Sequence, residues 1–226
     1  MLLALGAQWL LRSTYSRTSQ IPARMSGAMA ARRILDANGL RDVPIEQANG
    51  HLSDHYDPSS KVVRLSPDVY GGHSIAAVGI AAHEVGHAIQ DARNYAPLVV
   101  RNLAVPVAGF GSSLSQVFLL AAMGLAMFHL GQLAAIAMLV FVLLFSATVI
   151  FQIINLPVEF NASSRAKTEL VSLGIVNGQE LSNVSSVLTA AALTYVAGTL
   201  QSIATLAYYV FQFLLMSGTG RSDDGA

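Results

Sequence analysis

The chain has no cysteine, so it has neither disulfides nor thiolate ligands, and any metal must be held by histidine, aspartate or glutamate. Charge is also scarce, at 12% of residues against about a quarter in ordinary soluble domains. What charge there is falls unevenly. No Lys, Arg, Asp or Glu lies between Arg101 and Glu159, and none between Glu180 and Arg221. Charge-free tracts of that length are membrane spans far more often than soluble core. The formal net charge is zero, and without a basic excess nothing points to nucleic acid. Met1 to Leu11 is apolar but too short for a span, which needs about 20 residues. It lacks a preceding basic region and a following small-residue cleavage site, which argues against a signal peptide.

What the chain does contain is 53% hydrophobic residues in a length of 226, enough for one large domain or two small ones. The most informative stretch is His83-Glu84-Val85-Gly86-His87, within a run from Ser74 to Gln90 whose only charge is Glu84. Two histidines four apart on a helix project from one face, one turn apart. That spacing lets both imidazoles bind a single tetrahedral zinc. Glu84 follows the first histidine, at the edge of that face. There it is poorly placed as a ligand and well placed to take a proton from water at the metal. The flanking Ala, Val and Ile suit a buried helix.

Around this helix the chain reads as follows. Ser26 opens a helix whose body is Ala28 to Ala37 and whose stop is Gly39, with Met29, Ile34 and Leu35 as its apolar face. Val43 to Ala48 and Lys61 to Ser66 read as short strands bounded by turn residues, with Asp57-Pro58-Ser59-Ser60 as the turn into the second. The strand at Lys61 to Leu65 is expected to offer an edge that holds an extended peptide by backbone pairing. His51, Asp54, His55, Tyr56, Asp57 and His73 form a second polar cluster, mostly a solvated turn. His55 and Tyr56 are its candidates for stabilising a developing oxyanion.

Leu103 to Phe128 and Leu133 to Asn155 are each long enough to span a membrane, and only His129 to Gln132 separates them. So short a connection requires an antiparallel hairpin. Pro157 sits where a helix can restart. Glu159 is the first acid after the hairpin, returned to the membrane face that carries His83 and His87. It is the favoured third metal ligand, with Glu169 and Asp91 as alternatives. That helix is expected to end near Gly174. Ser186 to Met216 is a third apolar tract, longer than a perpendicular span requires, so that it either tilts or packs its first turns on the catalytic domain. Every Lys and Arg except Arg221 lies on one side of these spans, which by the positive-inside tendency is the cytoplasm.

Several stretches together resemble the YugP-like neutral zinc metallopeptidases, a family of bacterial membrane proteins. They are Ala31-Arg-Arg-Ile-Leu-Asp-Ala-Asn-Gly39, Leu52-Ser-Asp-His-Tyr-Asp-Pro58, Val63-Arg-Leu-Ser-Pro67, Ala81-Ala-His-Glu-Val-Gly-His-Ala-Ile-Gln90, Tyr95-Ala-Pro97 and Asn155-Leu-Pro-Val-Glu-Phe160. More distantly, Glu159-Phe-Asn-Ala162 is similar to the pattern supplying the glutamate ligand in HtpX-like membrane proteases. The resemblance implies one zinc ion held by His83, His87 and Glu159, with Glu84 as catalytic base. Asn161 stands where the family usually carries an acid.

The resulting expectation is a mainly α, multi-pass membrane protein. A zincin-like catalytic domain, the His-Glu-x-x-His helix plus a small β-hairpin or sheet, lies on one membrane face. Residues 1–11 form a partial membrane segment, 12–101 and 157–185 the catalytic domain, 102–156 the hairpin, 186–216 the last span and 217–226 a disordered tail. Its partners are a polypeptide substrate, unfolded or membrane-associated, and the lipid bilayer, with a homo-oligomer or another membrane protein as further candidates. Two other classes compete. One is a non-proteolytic scaffold or assembly factor, whose structural zinc requires four protein ligands. The other is a metal transporter, which needs the histidines inside a full span, whereas the apolar part of this helix falls just short.

Overall fold

The computed structural model describes residues 2–51 and 53–219. The elements run α1 (Leu2–Ser19), α2 (Gly27–Ala37), β1 (Ile45–Gln47), β2 (His55–Asp57), β3 (Val62–Leu65), α3 (Pro67–Tyr70), α4 (Ile75–Ala92), α5 (Ala96–Met127), α6 (Gly131–Ser172) and α7 (Gly178–Thr219). The fold is mainly helical with one small sheet. Two compact units make it up. One takes Met1–Val99 and Leu156–Val196, the other Val100–Asn155 and Ala197–Ala226.

The first unit is built around α4. Ser74 caps it, its side chain accepting a hydrogen bond from the backbone N–H of Ala77, which satisfies one of the donors a helix start leaves open. Beyond the cap α4 is buried on nearly every side, from Ile75, Ala77 and Val78 to Val85, Ala88 and Ile89. A helix apolar all round belongs in a core. α2 packs there through Ala30, Ala31, Ile34 and Leu35, all fully buried. It is capped by Ser26 and followed by Gly39 at φ +75°, a conformation that favours glycine. Met29, expected on the apolar face, is instead 58% exposed.

The sheet has the order β1-β3-β2, with β1 parallel and β2 antiparallel to β3. Two strands were legible. The third, β2, arises within the polar cluster and pairs His55 with Arg64 and Tyr56 with Val63. This corrects the expected role of the Lys61–Leu65 strand. β3 is the central strand with both edges taken, so no substrate backbone can pair with it. Three polar residues carry no alternation by which a strand is recognised, which is why β2 was read as a turn.

Among the described residues, three helices are long and apolar enough to cross a membrane: Ala96–Met127, Gly131–Ser172 and Gly178–Ser217. α1, with 18 residues, is not one of them. In the second unit Ala122 packs with Ala137, Met138, Phe141 and Val142, joined by Leu206, Tyr209 and Phe213. The break between α5 and α6 falls at the expected place, with His129 at φ +59°.

Two expectations are corrected here. Pro157 does not restart a helix, because α6 runs through it without a break. Proline removes a single backbone donor, and the buried Val158, Glu159 and Ala162 beyond it hold the helix. α7 begins earlier than the apolar tract. Asn177 accepts from the N–H groups of Gln179 and Glu180 while Glu180 accepts from that of Asn177, a reciprocal cap. The first turns of the tract belong to the first unit, where Val184, Val187 and Leu188 are buried. The expected disordered tail lies, from residue 220 onward, outside the described residues, and Ser217 to Thr219 still belong to α7.

Candidate metal centre

His83, Glu84 and His87 come from the middle of α4, and Glu159 from α6. The helices meet closely because residue 86 is glycine. A Cβ there would lie 2.6 Å from the Ala162 carbonyl oxygen. Ala162 and Ser163 are one turn beyond Glu159, so the contact that seats Gly86 also presents Glu159 to the histidines.

The candidate ligand atoms of His83, His87 and Glu159 all lie within 4.8 Å of one another. Glu159 Oε2 is 3.3 Å from His83 Nε2 and 3.7 Å from His87 Nε2. Ligands about 2.0–2.2 Å from a tetrahedral zinc are separated by about 3.3–3.5 Å. The two Glu159 spacings are close to this, and the three donors together could hold one such ion.

Hydrogen bonds on the far side fix the histidines. His87 Nδ1 lies 3.0 Å from Gln90 Oε1. Gln90 is fully buried, and its Nε2 donates to the Val158 carbonyl at 2.8 Å and to Asn161 Oδ1 at 3.0 Å. Those two bonds turn the amide oxygen toward His87. The His87 proton is thereby placed on Nδ1, and Nε2 is left with its lone pair for a metal. Arg165 Nε donates to the same Asn161 oxygen at 2.7 Å, so Asn161 reaches His87 only through Gln90. His83 Nδ1 pairs with Ser163 Oγ at 3.1 Å.

The electrostatics favour a cation. Burial alone would lower the His87 pKa, but the Glu159 and Glu84 carboxylates outweigh it and hold it above the usual value. Glu84 is 8% exposed. Burial pushes its carboxyl up, His83 and His87 pull it back in part, and Glu159 and Asp54 add to the rise.

A cavity of about 170 Å³ opens beside these groups. Four helices wall it, each with residues on one face. Leu11 and Tyr15 come from α1, Ile80, His83 and Glu84 from α4, and Glu159 and Ser163 from α6. α7 gives Val187, Leu188, Ala191, Ala192 and Tyr195. These are the spacings at which side chains share a helix face. Asp54 also lines the cavity and is held by the Ser66 N–H at 2.8 Å.

The structure thus gathers His83, Glu84, His87 and Glu159. His55 and Tyr56 are not among the residues lining the cavity. Tyr56 Oη donates to Asp91 Oδ2 at 2.8 Å, and His55 Nδ1 lies 2.7 Å from the Ser53 carbonyl. Glu169 and Asp91, the alternative ligands, are outside the cluster. Sequence reasoning missed Tyr15, Asp54, Ser163, Gln90 and Tyr195. Ser163 and Gln90 carried a usable signal, lying one helical turn from Glu159 and His87.

A family model described as "Putative neutral zinc metallopeptidase" matches residues 1–214. The chain is 47% identical, over 214 residues covering 94% of it and 92% of the relative, to a protein of Bacillus subtilis (strain 168) named "Putative membrane protease YugP". No solved structure matches. The donor set, the three apolar helices and these two likenesses agree, and the chain belongs to this neutral zinc metallopeptidase family.

Proposed function

We propose that the protein is a membrane-bound zinc metalloendopeptidase that hydrolyses peptide bonds in unfolded or membrane-associated polypeptides from the cytoplasmic face. The observation that carries this reading is the convergence of His83, His87 and Glu159 within 4.8 Å, with Glu84 lining the same cavity. His83 and His87 present Nε2, and Glu159 a carboxylate oxygen, to one zinc ion. When bound, the ion supplies Lewis acidity, polarising a carbonyl and lowering the pKa of a water to about 7. Glu84 takes the proton of the attacking water and passes it to the leaving amine. Gln90 and Ser163 hold the imidazoles in place during both transfers. Tyr15 and Tyr195 also line the cavity and are the candidate donors to the developing oxyanion. Among the described residues β2 keeps one side unpaired in the sheet order and starts next to Asp54, so it is the strand suited to hold an extended substrate.

Three donors also speak against a structural zinc in a scaffold, since such sites are closed by four protein ligands. The test is cleavage of an unfolded polypeptide by zinc-loaded Glu84→Gln. We expect the variant to keep its zinc and lose activity by a factor of about 10³ or more. Unchanged hydrolysis at full zinc occupancy would rule the mechanism out.

A further inference from the structure

The lining of the cavity beside the metal centre is chemically uneven. The ligand side carries His83, Glu84 and Glu159. The rest of the lining is mixed: Tyr15, Asp54, Ser163 and Tyr195 are polar, while Leu11, Ile80, Val187, Leu188, Ala191 and Ala192 make an aliphatic part, most of it from α7. Val187 and Leu188 are almost fully buried, at 1% and 4% exposure, so that wall is fixed by packing. Ala191 and Ala192 are the small members of the α7 face, and longer side chains at these two positions would occupy the space. The volume is about 170 Å³, and an apolar cavity of about 150 Å³ accepts a benzene-sized group. No Lys or Arg lines it, whereas Asp54, Glu84 and Glu159 do, so an acidic side chain would meet like charge and an apolar wall.

We propose that this cavity is the side-chain subsite of the enzyme. It takes one branched aliphatic or phenyl side chain, of Leu, Ile or Phe size, from the residue flanking the cleaved bond, and it rejects Asp and Glu there. The occupant follows from continuity with the metal centre: a group seated in the cavity is attached to a backbone lying against His83 and Glu84. Selectivity would then be set largely by α7, a helix that gives no ligand to the metal. The proposal rests on the peptidase reading, but its test can be separated from it.

The experiment uses the zinc-loaded full chain in detergent and two ligands that bind zinc without being hydrolysed, leucine hydroxamate and glycine hydroxamate. Their affinities are measured by calorimetry. Burying an isobutyl group should make leucine hydroxamate about 10- to 100-fold tighter. Ala191→Leu, at unchanged zinc content, should shrink that ratio to about threefold or less, and Ala192→Val should reduce it in the same direction. In parallel, two fluorogenic peptides differing only by Leu or Glu beside the scissile bond are compared, and the leucine peptide should be preferred by about tenfold or more. Equal affinity of the two hydroxamates for the unaltered protein overturns the subsite, whether or not either variant folds. So does a ratio unchanged in both variants with zinc retained. Hydroxamate discrimination without cleavage of any peptide upholds the apolar site and overturns the peptidase reading. Cleavage of both peptides at equal rates, with equal hydroxamate affinities, overturns the subsite alone.

Discussion

Gly86 and Ala162 touch backbone to backbone: a Cβ added to residue 86 would lie 2.6 Å from the Ala162 carbonyl oxygen and 3.1 Å from its Cα. The second variable position of the His-Glu-x-x-His motif is therefore not free. It is where the helix carrying two candidate ligands meets the helix carrying the third.

Gly86→Ala should push α4 and α6 apart and widen the spacing between Glu159 and the histidines. Overpacking of this kind costs about 1–3 kcal/mol, so the melting temperature in detergent should fall by several degrees. Zinc per chain, measured by elemental analysis after dialysis, should fall well below one. A variant with full zinc and unchanged melting would show that the helices separate without moving the ligands.

Gln90→Leu removes the acceptor that holds the His87 proton on Nδ1 and takes the side-chain donor from the Val158 carbonyl. Loss of such an outer contact weakens metal binding by about 10- to 100-fold. Competition with a chromogenic chelator measures it. Asn161→Ala should weaken binding less, because Asn161 acts on Gln90 and not on the histidine itself.

Tyr56→Phe separates two roles. An oxyanion donor at Tyr56 would show as a loss of kcat. The hydrogen bond to Asp91, which also accepts from Lys61 Nζ at 3.1 Å, makes it a structural tie between β2 and α4. We expect about 1–2 kcal/mol of lost stability and kcat within a few-fold of the parent. Thermal melting and peptide hydrolysis on the same sample distinguish the outcomes.

Asp57 gives a pH dependence. The Ser60 hydroxyl, the Arg64 guanidinium and the Ser59 N–H hold its carboxyl well below the usual carboxylate range. A lowered folded-state pKa adds stability above the unfolded value, near 3.9, and that stability is lost as pH falls below it. The parent's melting advantage over Asp57→Asn should therefore begin to shrink below about pH 5 and go on shrinking as the pH falls past the unfolded value toward the much lower folded-state one. A gap that does not change with pH would show that ionisation of Asp57 contributes nothing to stability through the Ser60 and Arg64 contacts.

Much of the site was legible because its chemistry follows helical spacing. His83 and His87 share a face by their separation alone, and Glu159 followed from the closing of an apolar hairpin. The rest depended on contacts between segments far apart in the chain. Nothing in the sequence near Tyr15, Asp54 or Tyr195 shows that they border one cavity. Tyr195, in particular, sits in an apolar tract where it reads as membrane packing. β2 was missed because three polar residues show no strand periodicity, and its pairing with β3 is a tertiary event. Pro157 read as a helix start because local propensity favours that position. Burial of the residues just beyond it decides otherwise.

The four helices around the cavity divide by what they contribute. α4 and α6 carry every group of the candidate metal centre, while the α7 stretch from 187 to 192 carries none and supplies most of the aliphatic wall. An exchange confined to those residues alters the shape of the cavity while leaving the candidate ligands and Glu84 in place. The stretch behaves as a replaceable cassette. On the subsite reading, a panel of variants with one shared chemistry and different preferences can be built by rewriting fewer than two turns of one helix.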